Sequence, residues 1–249
     1  MKGICFFDVD GTLLSAGNIN VSQSTIEAMK ILKSKDYGVM IATGRHPLEL
    51  KQLGLLQYNF DGYVLLNGQL CLDSTMTPVY KKIIEGSDRE EILSHFDNMK
   101  VPMILVEETR LYMNFHNDYV RTVQAEISSP VYDLGTHTDA DIYMATIFVP
   151  RGEEIQFTNL QASRWHDYAM DVFLPNSGKV AGIKALMEKT GVKQSDIIAF
   201  GDGDNDIEML EFVGLGVAMG NAPDNVKKIA NMVTDDSAHD GIYNVVKNL

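Results

Sequence analysis

The sequence predicts an α/β fold, a parallel sheet covered by helices on both faces, interrupted by an inserted α+β domain. Three observations lead there. Near both ends of the chain, short and wholly apolar runs alternate with helical patterns, as strands buried on both faces require. Each of those runs stops in a polar, glycine-bearing loop. Between about residues 83 and 175 the rhythm changes to one of its own, which puts the core at 1–82 and 176–249 and the insertion at 83–175.

Gly3 to Phe7 (GICFF) reads as a buried strand that opens into Asp8-Val9-Asp10-Gly11-Thr12. Ser24-Thr25-Ile26-Glu27 has the form of a capping box, and Ile26, Met29 and Leu32 then recur at helical spacing. Gly38 to Ala42 is a second buried strand, ending in Thr43-Gly44-Arg45, and Pro47 suits the first turn of a helix running to about Leu53. Tyr63 to Leu66 is a third, ending in Asn67-Gly68. Gln69–Leu72 and Pro78–Lys82 read as a hairpin.

The insertion reads as a helix near Ser87–Met99, strands near Met103–Glu107 and Leu111–Phe115, and a helix near Asp118–Ile127. A strand near Ile142–Val149, a helix near Glu153–Leu160 and strands near Arg164–His166 and Ala169–Leu174 follow. After Pro175 the first rhythm returns. Val180, Ile183 and Met187 mark a helix ending near Gly191, and Asp196 to Phe200 is a strand ending in GDGDND. Leu215–Met219 is another strand, with helices around Pro223–Ile229 and from about Asp240.

The balance of 21 basic against 34 acidic residues gives a formal net charge of −13. Duplex-binding proteins and anionic-membrane binders need a basic face, so neither nucleic acid nor a membrane is an expected partner. A small phosphorylated metabolite stays open, because a bound metal or a local cation reverses the field at one pocket. Cys5 and Cys71 lie in apolar runs and read as free thiols of a reducing compartment. No apolar stretch approaches bilayer length, and the N-terminal run is too short for a secretion signal. The expectation is a cytoplasmic protein, a monomer or a weak homodimer.

Ligands of an open parallel sheet sit at the strand ends, and there the chemistry collects. Asp8, Asp10, Asp202 and Asp206 in one cleft repel one another unless a divalent cation lies among them. An all-oxygen set suits a hard ion, and magnesium is the expected cofactor. Lys179 would offset the charge of a bound phosphate, Thr43 adds a hydroxyl, and Gly11 and Gly44 let the backbone approach a ligand. Each element has a bland reading by itself. DGT can be a turn with a helix cap, Thr-Gly-Arg is a common loop, and Lys179 alone is a solvated helix-end lysine. GDGDND is not a calcium loop, since Ile207 and Val213 stand where the glycine and the glutamate belong. What chance does not readily give is all four elements in order, each at a strand end or helix start.

Those four elements resemble the haloacid dehalogenase superfamily, and within it the Cof-like sugar-phosphate phosphatases. The matching motifs are DxDGTL at Asp8 to Leu13, the Thr43 of ATGR, Lys179, and GDxxND at Gly201 to Asp206. The resemblance spans essentially the whole chain and implies a Rossmann-like core with a substrate-selecting cap inserted between the second and third motifs. It implies Asp8 as the nucleophile that forms an aspartyl-phosphate and Asp10 as general acid and base. Asp8, the Asp10 carbonyl and Asp202 would hold magnesium, supported by Asp206. Gly11, Thr43, Gly44, Lys179 and Asn205 would hold the phosphate, with Arg45 and Asn67 at the mouth touching substrate. Glu107, Asn114, His116, Trp165 and His166 are the cap's polar or amphipathic candidates. The implied substrate is a small phosphorylated metabolite, a sugar phosphate foremost. The alternatives are a phosphomutase of the same superfamily and a non-enzymatic switch phosphorylated on aspartate.

Overall fold

The computed structural model describes residues 1–15, 17, 20–127 and 129–249. The chain divides into two compact units, one of Met1–Lys81 with Ser177–Leu249 and the other of Lys82–Asn176. Among the described residues no helix is long and apolar enough to cross a membrane.

The first unit begins with β1 (Gly3–Phe7), α1 (Gln23–Ser34), β2 (Tyr37–Ala42), α2 (Pro47–Gln52), β3 (Gly62–Leu65), β4 (Leu70–Asp73) and β5 (Pro78–Lys81). The second holds α3 (Gly86–Asp97), β6 (Met103–Glu107), β7 (Leu111–Met113), α4 (Asp118–Glu126), β8 (Ile142–Ile147), β9 (Gln161–His166) and β10 (Ala169–Phe173). The chain then completes the first unit with α5 (Lys179–Thr190), β11 (Ile197–Gly201), α6 (Ile207–Phe212), β12 (Leu215–Ala218), α7 (Asp224–Ile229), β13 (Met232–Val233) and α8 (Gly241–Val246).

The core sheet runs β13-β12-β11-β1-β2-β3-β4-β5. Its first six strands are parallel, while β4 and β5 pair antiparallel as a hairpin edge. All five residues of β1 are buried, which is why it shows no polar alternation. Alternate residues serve opposite faces. Ile4 and Phe6 join the cluster of Met40, Val64, Ile183, Ala199 and Leu210, while Phe7 stacks on Phe200 at 5.3 Å between ring centroids. β1 sits between β2, its neighbour in sequence, and β11, which arrives much later. The sheet's connections therefore diverge at β1, and a crevice opens at its carboxyl end.

The second unit is a five-stranded antiparallel sheet of order β7-β6-β8-β10-β9. Ile92 and Phe96 of α3 pack on Met103, Leu105, Ala145 and Val172.

Three local expectations are corrected. The first helix is capped by Ser22 rather than Ser24. Ser22 is extended and its hydroxyl accepts from Thr25 N–H at 3.1 Å, so the helix starts one residue before Ser24. The helix expected at Glu153–Leu160 is absent. There the Glu154 carboxylate accepts from Gly152 N–H and the Glu91 carboxylate from Thr158 N–H, local bonds that replace helical ones. Ile155, Phe157 and Leu160 still reach the unit's core, without a helix. Finally, β9 begins at Gln161 rather than near Arg164, because its first residues are exposed on an edge strand and carry no apolar signal.

At one turn the fold leaves no room for a side chain. Gly68, at φ +87°, lies so close to the start of α5 that a Cβ would stand 2.0 Å from the Gly178 carbonyl oxygen. Gly68→Ala is expected to lower stability by about 2–3 kcal/mol, from overpacking and positive-φ strain together. Urea unfolding at neutral pH measures this, and a loss below about 0.5 kcal/mol, the range of a neutral surface change, contradicts the close approach.

Candidate active site

Four loops follow the carboxyl ends of parallel strands: Asp8 after β1, Thr43 after β2, Asp202 after β11 and Asn221 shortly after β12. A shared strand direction puts all four on one edge of the sheet. The first turn of α5 adds Lys179.

Lys179 is 2% exposed, and its Nζ donates to Asp8 Oδ1 at 2.5 Å and to Asp206 Oδ1 at 2.6 Å. Asp8 and Asp206 are themselves buried, so the three groups form an ion triad shielded from water. Burial alone would lower the Lys179 pKa, but the carboxylates of Asp206 and Asp8 more than reverse that and hold it above the usual lysine range. Burial pushes Asp8 well up, Lys179 opposes the shift, and Asp206 and Asp10 add to it.

Asp206 organises the neighbouring loop. Its Oδ2 accepts from the backbone N–H groups of Asp202 and Gly203, each at 2.9 Å, which turns the chain after β11. Asp202 is oriented by two donors, the Thr12 hydroxyl to Oδ1 at 2.9 Å and Asn221 Nδ2 to Oδ2 at 2.9 Å. Asn221 also donates to the Gly11 carbonyl at 3.0 Å, tying the loops after β1, β11 and β12 together. Gly11, at φ +78°, sits against Asp202, and a Cβ there would lie 2.0 Å from its Oδ2.

On the other side of β1, Thr43 is buried at the end of β2, and its hydroxyl accepts from Arg45 N–H at 3.3 Å. Asn67 N–H donates to the Thr43 carbonyl, and the Asn67 carbonyl accepts from Gly178 N–H at 2.9 Å, which docks the start of α5. Gly44 faces the Asn67 side chain, where a Cβ would come within 3.1 Å. Asn205 Nδ2 donates to Asn67 Oδ1 at 3.4 Å, a long bond between two exposed groups. Arg45 Nε and Nη2 each donate to one oxygen of Asp10 at 2.7 Å, and Nη1 reaches Glu49 Oε1 at 3.5 Å.

The carboxylates of Asp8, Asp202 and Asp206 therefore come together, and Asp10 points its side chain at Arg45 instead. Thr12, Asn221 and Glu49 were not among the expected site residues. Asn221 was findable, since it follows the apolar run Leu215–Met219 just as the other site loops follow theirs. Glu49 had no signal beyond its place in the first turn of a helix. In the second unit, Glu107 is buried and accepts from Arg110 and the Tyr112 hydroxyl. Asn114 accepts from Met103 N–H and donates to the Phe96 and Val101 carbonyls. His116 bonds the Tyr132 carbonyl, and His166 bonds Glu126. Four of the five cap candidates are thus engaged within that unit, and Trp165 stands exposed.

Asp8, Asp202 and Asp206 each offer a carboxylate oxygen within 4.8 Å of the others. Three hard oxygen donors with no thiolate or imidazole fit a divalent ion of the magnesium type. Burial raises the Asp202 pKa to about 6, with the Thr12 bond opposing and Asp206 and Asp10 adding to the rise. A carboxyl whose pKa is raised on folding favours the native state below the ordinary carboxylate range, and that contribution is lost as pH climbs through about 6. In the metal-free protein Asp202→Asn is expected to gain about 2 kcal/mol at pH 8, the linkage gain less a lost bond from Asn221, and nothing below about pH 4. Urea unfolding in EDTA at both pH values measures this, and a loss of stability at pH 8 contradicts it.

A family model described as haloacid dehalogenase-like hydrolase matches residues 5–246. YkrA of Bacillus subtilis (strain 168), which carries a provisional phosphatase name, is 30% identical over 99% of this chain and 97% of its own. The BT1666 phosphatase of Bacteroides thetaiotaomicron superposes with a TM-score of 0.89 at 29% identity, over 99% of this chain and 94% of that one. BT4131, a subclass IIB sugar phosphatase of the same superfamily, superposes at 0.84 with 29% identity over 98% of both chains. YitU of Bacillus subtilis (strain 168), a 5-amino-6-(5-phospho-D-ribitylamino)uracil phosphatase, is 28% identical over 96% of this chain and 94% of its own. With its Rossmann-like α/β core and the Cof-like motifs in place, this chain belongs to the haloacid dehalogenase-like hydrolases and is a phosphatase of phosphate monoesters.

Proposed function

We propose that the enzyme is a magnesium-dependent phosphatase of small phosphorylated metabolites, sugar phosphates foremost, working through an aspartyl-phosphate on Asp8. The observation that carries this reading is the buried Asp8–Lys179 contact at the end of β1. Burial pushes the pKa of so deep a carboxylate well up, and the ammonium beside it opposes that shift and favours the ionised, nucleophilic form.

Asp8 attacks phosphorus through a carboxylate oxygen, and the bond to the leaving alkoxide breaks as Asp10 protonates that oxygen. Asp10, now a carboxylate, takes a proton from water, which attacks the phosphorus of the acyl phosphate. Inorganic phosphate leaves and Asp8 is restored. Asp8, Asp202 and the Asp10 carbonyl would hold magnesium, with Asp206 steadying the site through Lys179, and the bound ion supplies positive charge to the phosphate. Gly11, Thr43, Gly44, Lys179 and Asn205 are the proposed phosphate-holding groups, and Arg45 and Asn67 lie at the rim. Selection among substrates is assigned to the inserted domain, 83–175. Sugar phosphates are favoured because BT4131 is a sugar phosphatase and the substrate named for YitU also carries its phosphate on a polyol chain. The paired burial of the free thiols Cys5 and Cys71 suits a reducing cytoplasm.

A phosphate-release assay over sugar phosphates, nucleotides and p-nitrophenyl phosphate tests the reading. EDTA is expected to abolish turnover and magnesium to restore it. Asp8→Asn is expected to fall below about a thousandth of the wild-type rate while remaining folded. Full turnover in chelator, or turnover by Asp8→Asn above that level, refutes the mechanism.

A further inference from the structure

The Asp10 carboxylate side chain is 56% exposed, an unusual setting for a group that must meet one oxygen atom in one direction. A short exposed aspartate has several rotamers available, whereas proton transfer needs it within about 2.6–3.2 Å of its target. What restrains it is Arg45. Two parallel N–H···O bonds, Nε to Oδ2 and Nη2 to Oδ1, both 2.7 Å, fix the plane as well as the position of the carboxylate.

The arginine needs a fixed base in turn. It is 22% exposed and its third nitrogen lies 3.5 Å from Glu49 Oε1. Glu49 is anchored by its other oxygen, which accepts from His46 N–H at 2.7 Å. His46 is fully buried and caps α2, its Nδ1 accepting from Leu48 N–H at 3.1 Å. The capping box at the start of α2 therefore continues outward as a relay: helix terminus, Glu49, Arg45, Asp10.

We propose that Glu49 and Arg45 are positioning residues for proton transfer, holding Asp10 in the orientation that meets the leaving group, and that the capping box of α2 is the platform for this. The inference rests on the role of Asp10 set out above. It assigns Arg45 to the acid rather than to substrate affinity. Glu49 acts through Arg45, whose guanidinium it contacts.

The test is steady-state kinetics with magnesium on a series of substituted phenyl phosphates, from p-nitrophenyl phosphate to unsubstituted phenyl phosphate. Good leaving groups depart without a proton and poor ones do not. Arg45→Ala is expected to lose about tenfold more kcat/KM on phenyl phosphate than on p-nitrophenyl phosphate, mostly in kcat. Glu49→Gln, which retains an acceptor for His46 N–H, is expected to show the same trend at about threefold, and no further loss when combined with Arg45→Ala. Arg45→Lys, whose single ammonium cannot fork across two oxygens, should behave like Arg45→Ala and serves if the alanine variant does not fold. Equal losses across the series, or a raised KM with unchanged leaving-group dependence, overturn the proposal and make Arg45 a substrate-binding group. A Glu49→Gln effect that adds in full to Arg45→Ala overturns the relay. Asp10→Asn separates the two levels. If it leaves the leaving-group dependence unchanged, the role of Asp10 fails. If it steepens the dependence and Arg45→Ala does not, only the relay fails.

Discussion

The rest of the site depends on one ammonium group, Lys179 Nζ, buried between Asp8 and Asp206. A lysine stripped of water is costly unless charge partners surround it, and a buried carboxylate is no cheaper. At Asp8 burial pushes the carboxyl pKa well up, and the lysine is the group that opposes the shift. The three groups come from distant parts of the chain, Asp8 from the loop after β1, Lys179 from the helix that follows the inserted unit, and Asp206 from the loop after β11. Their mutual requirement ties the two halves of the core together at the edge where the chemistry sits.

From that triad the order spreads by hydrogen bonds. Asp206 uses its second oxygen on the amides of Asp202 and Gly203, and so the loop that presents Asp202 is shaped by the same carboxylate that neutralises Lys179. Gly201 is close enough to Asp206 that a Cβ would stand 2.5 Å from its Cγ, so a small residue there is a condition of the arrangement. Thr12 and Asn221 then aim Asp202, and Asn67 docks the first turn of α5 from the other side. With Asp202 the cluster sets three carboxyl groups against one ammonium. A divalent cation is the natural complement of such a site.

Much of this was legible in the sequence, because parallel strands are apolar throughout and their polar loops stand out against them. Asp8, Thr43 and Asp202 each end such a run, and the parallel direction that brings them to one edge follows from the alternation of strands and helices, while the strand order comes from the structure. The parts that escaped are those where side chains rather than patterns decide. The capping-box pattern points to Ser24, and only the extended backbone and side-chain bond at Ser22 show that the cap lies two residues earlier. The helix expected at Glu153–Leu160 is precluded by the carboxylates of Glu91 and Glu154, which capture backbone amides. Arg45 could be placed at the mouth of the site by its position after β2, but its fork on Asp10 depends on a rotamer. Glu49 acquires meaning only from that fork.

The most direct measurement of the central claim is the pH dependence of stability of Lys179→Met against the parent chain, by urea unfolding in EDTA. With the ammonium gone, two buried carboxylates lie uncompensated, so the variant should lose about 3–5 kcal/mol at pH 8. The deficit should shrink markedly toward pH 5, where a proton can take the place of the lysine charge. A variant within about 1 kcal/mol of the parent at pH 8, the scale of an exposed ion pair, or a deficit that does not change with pH, would contradict the account.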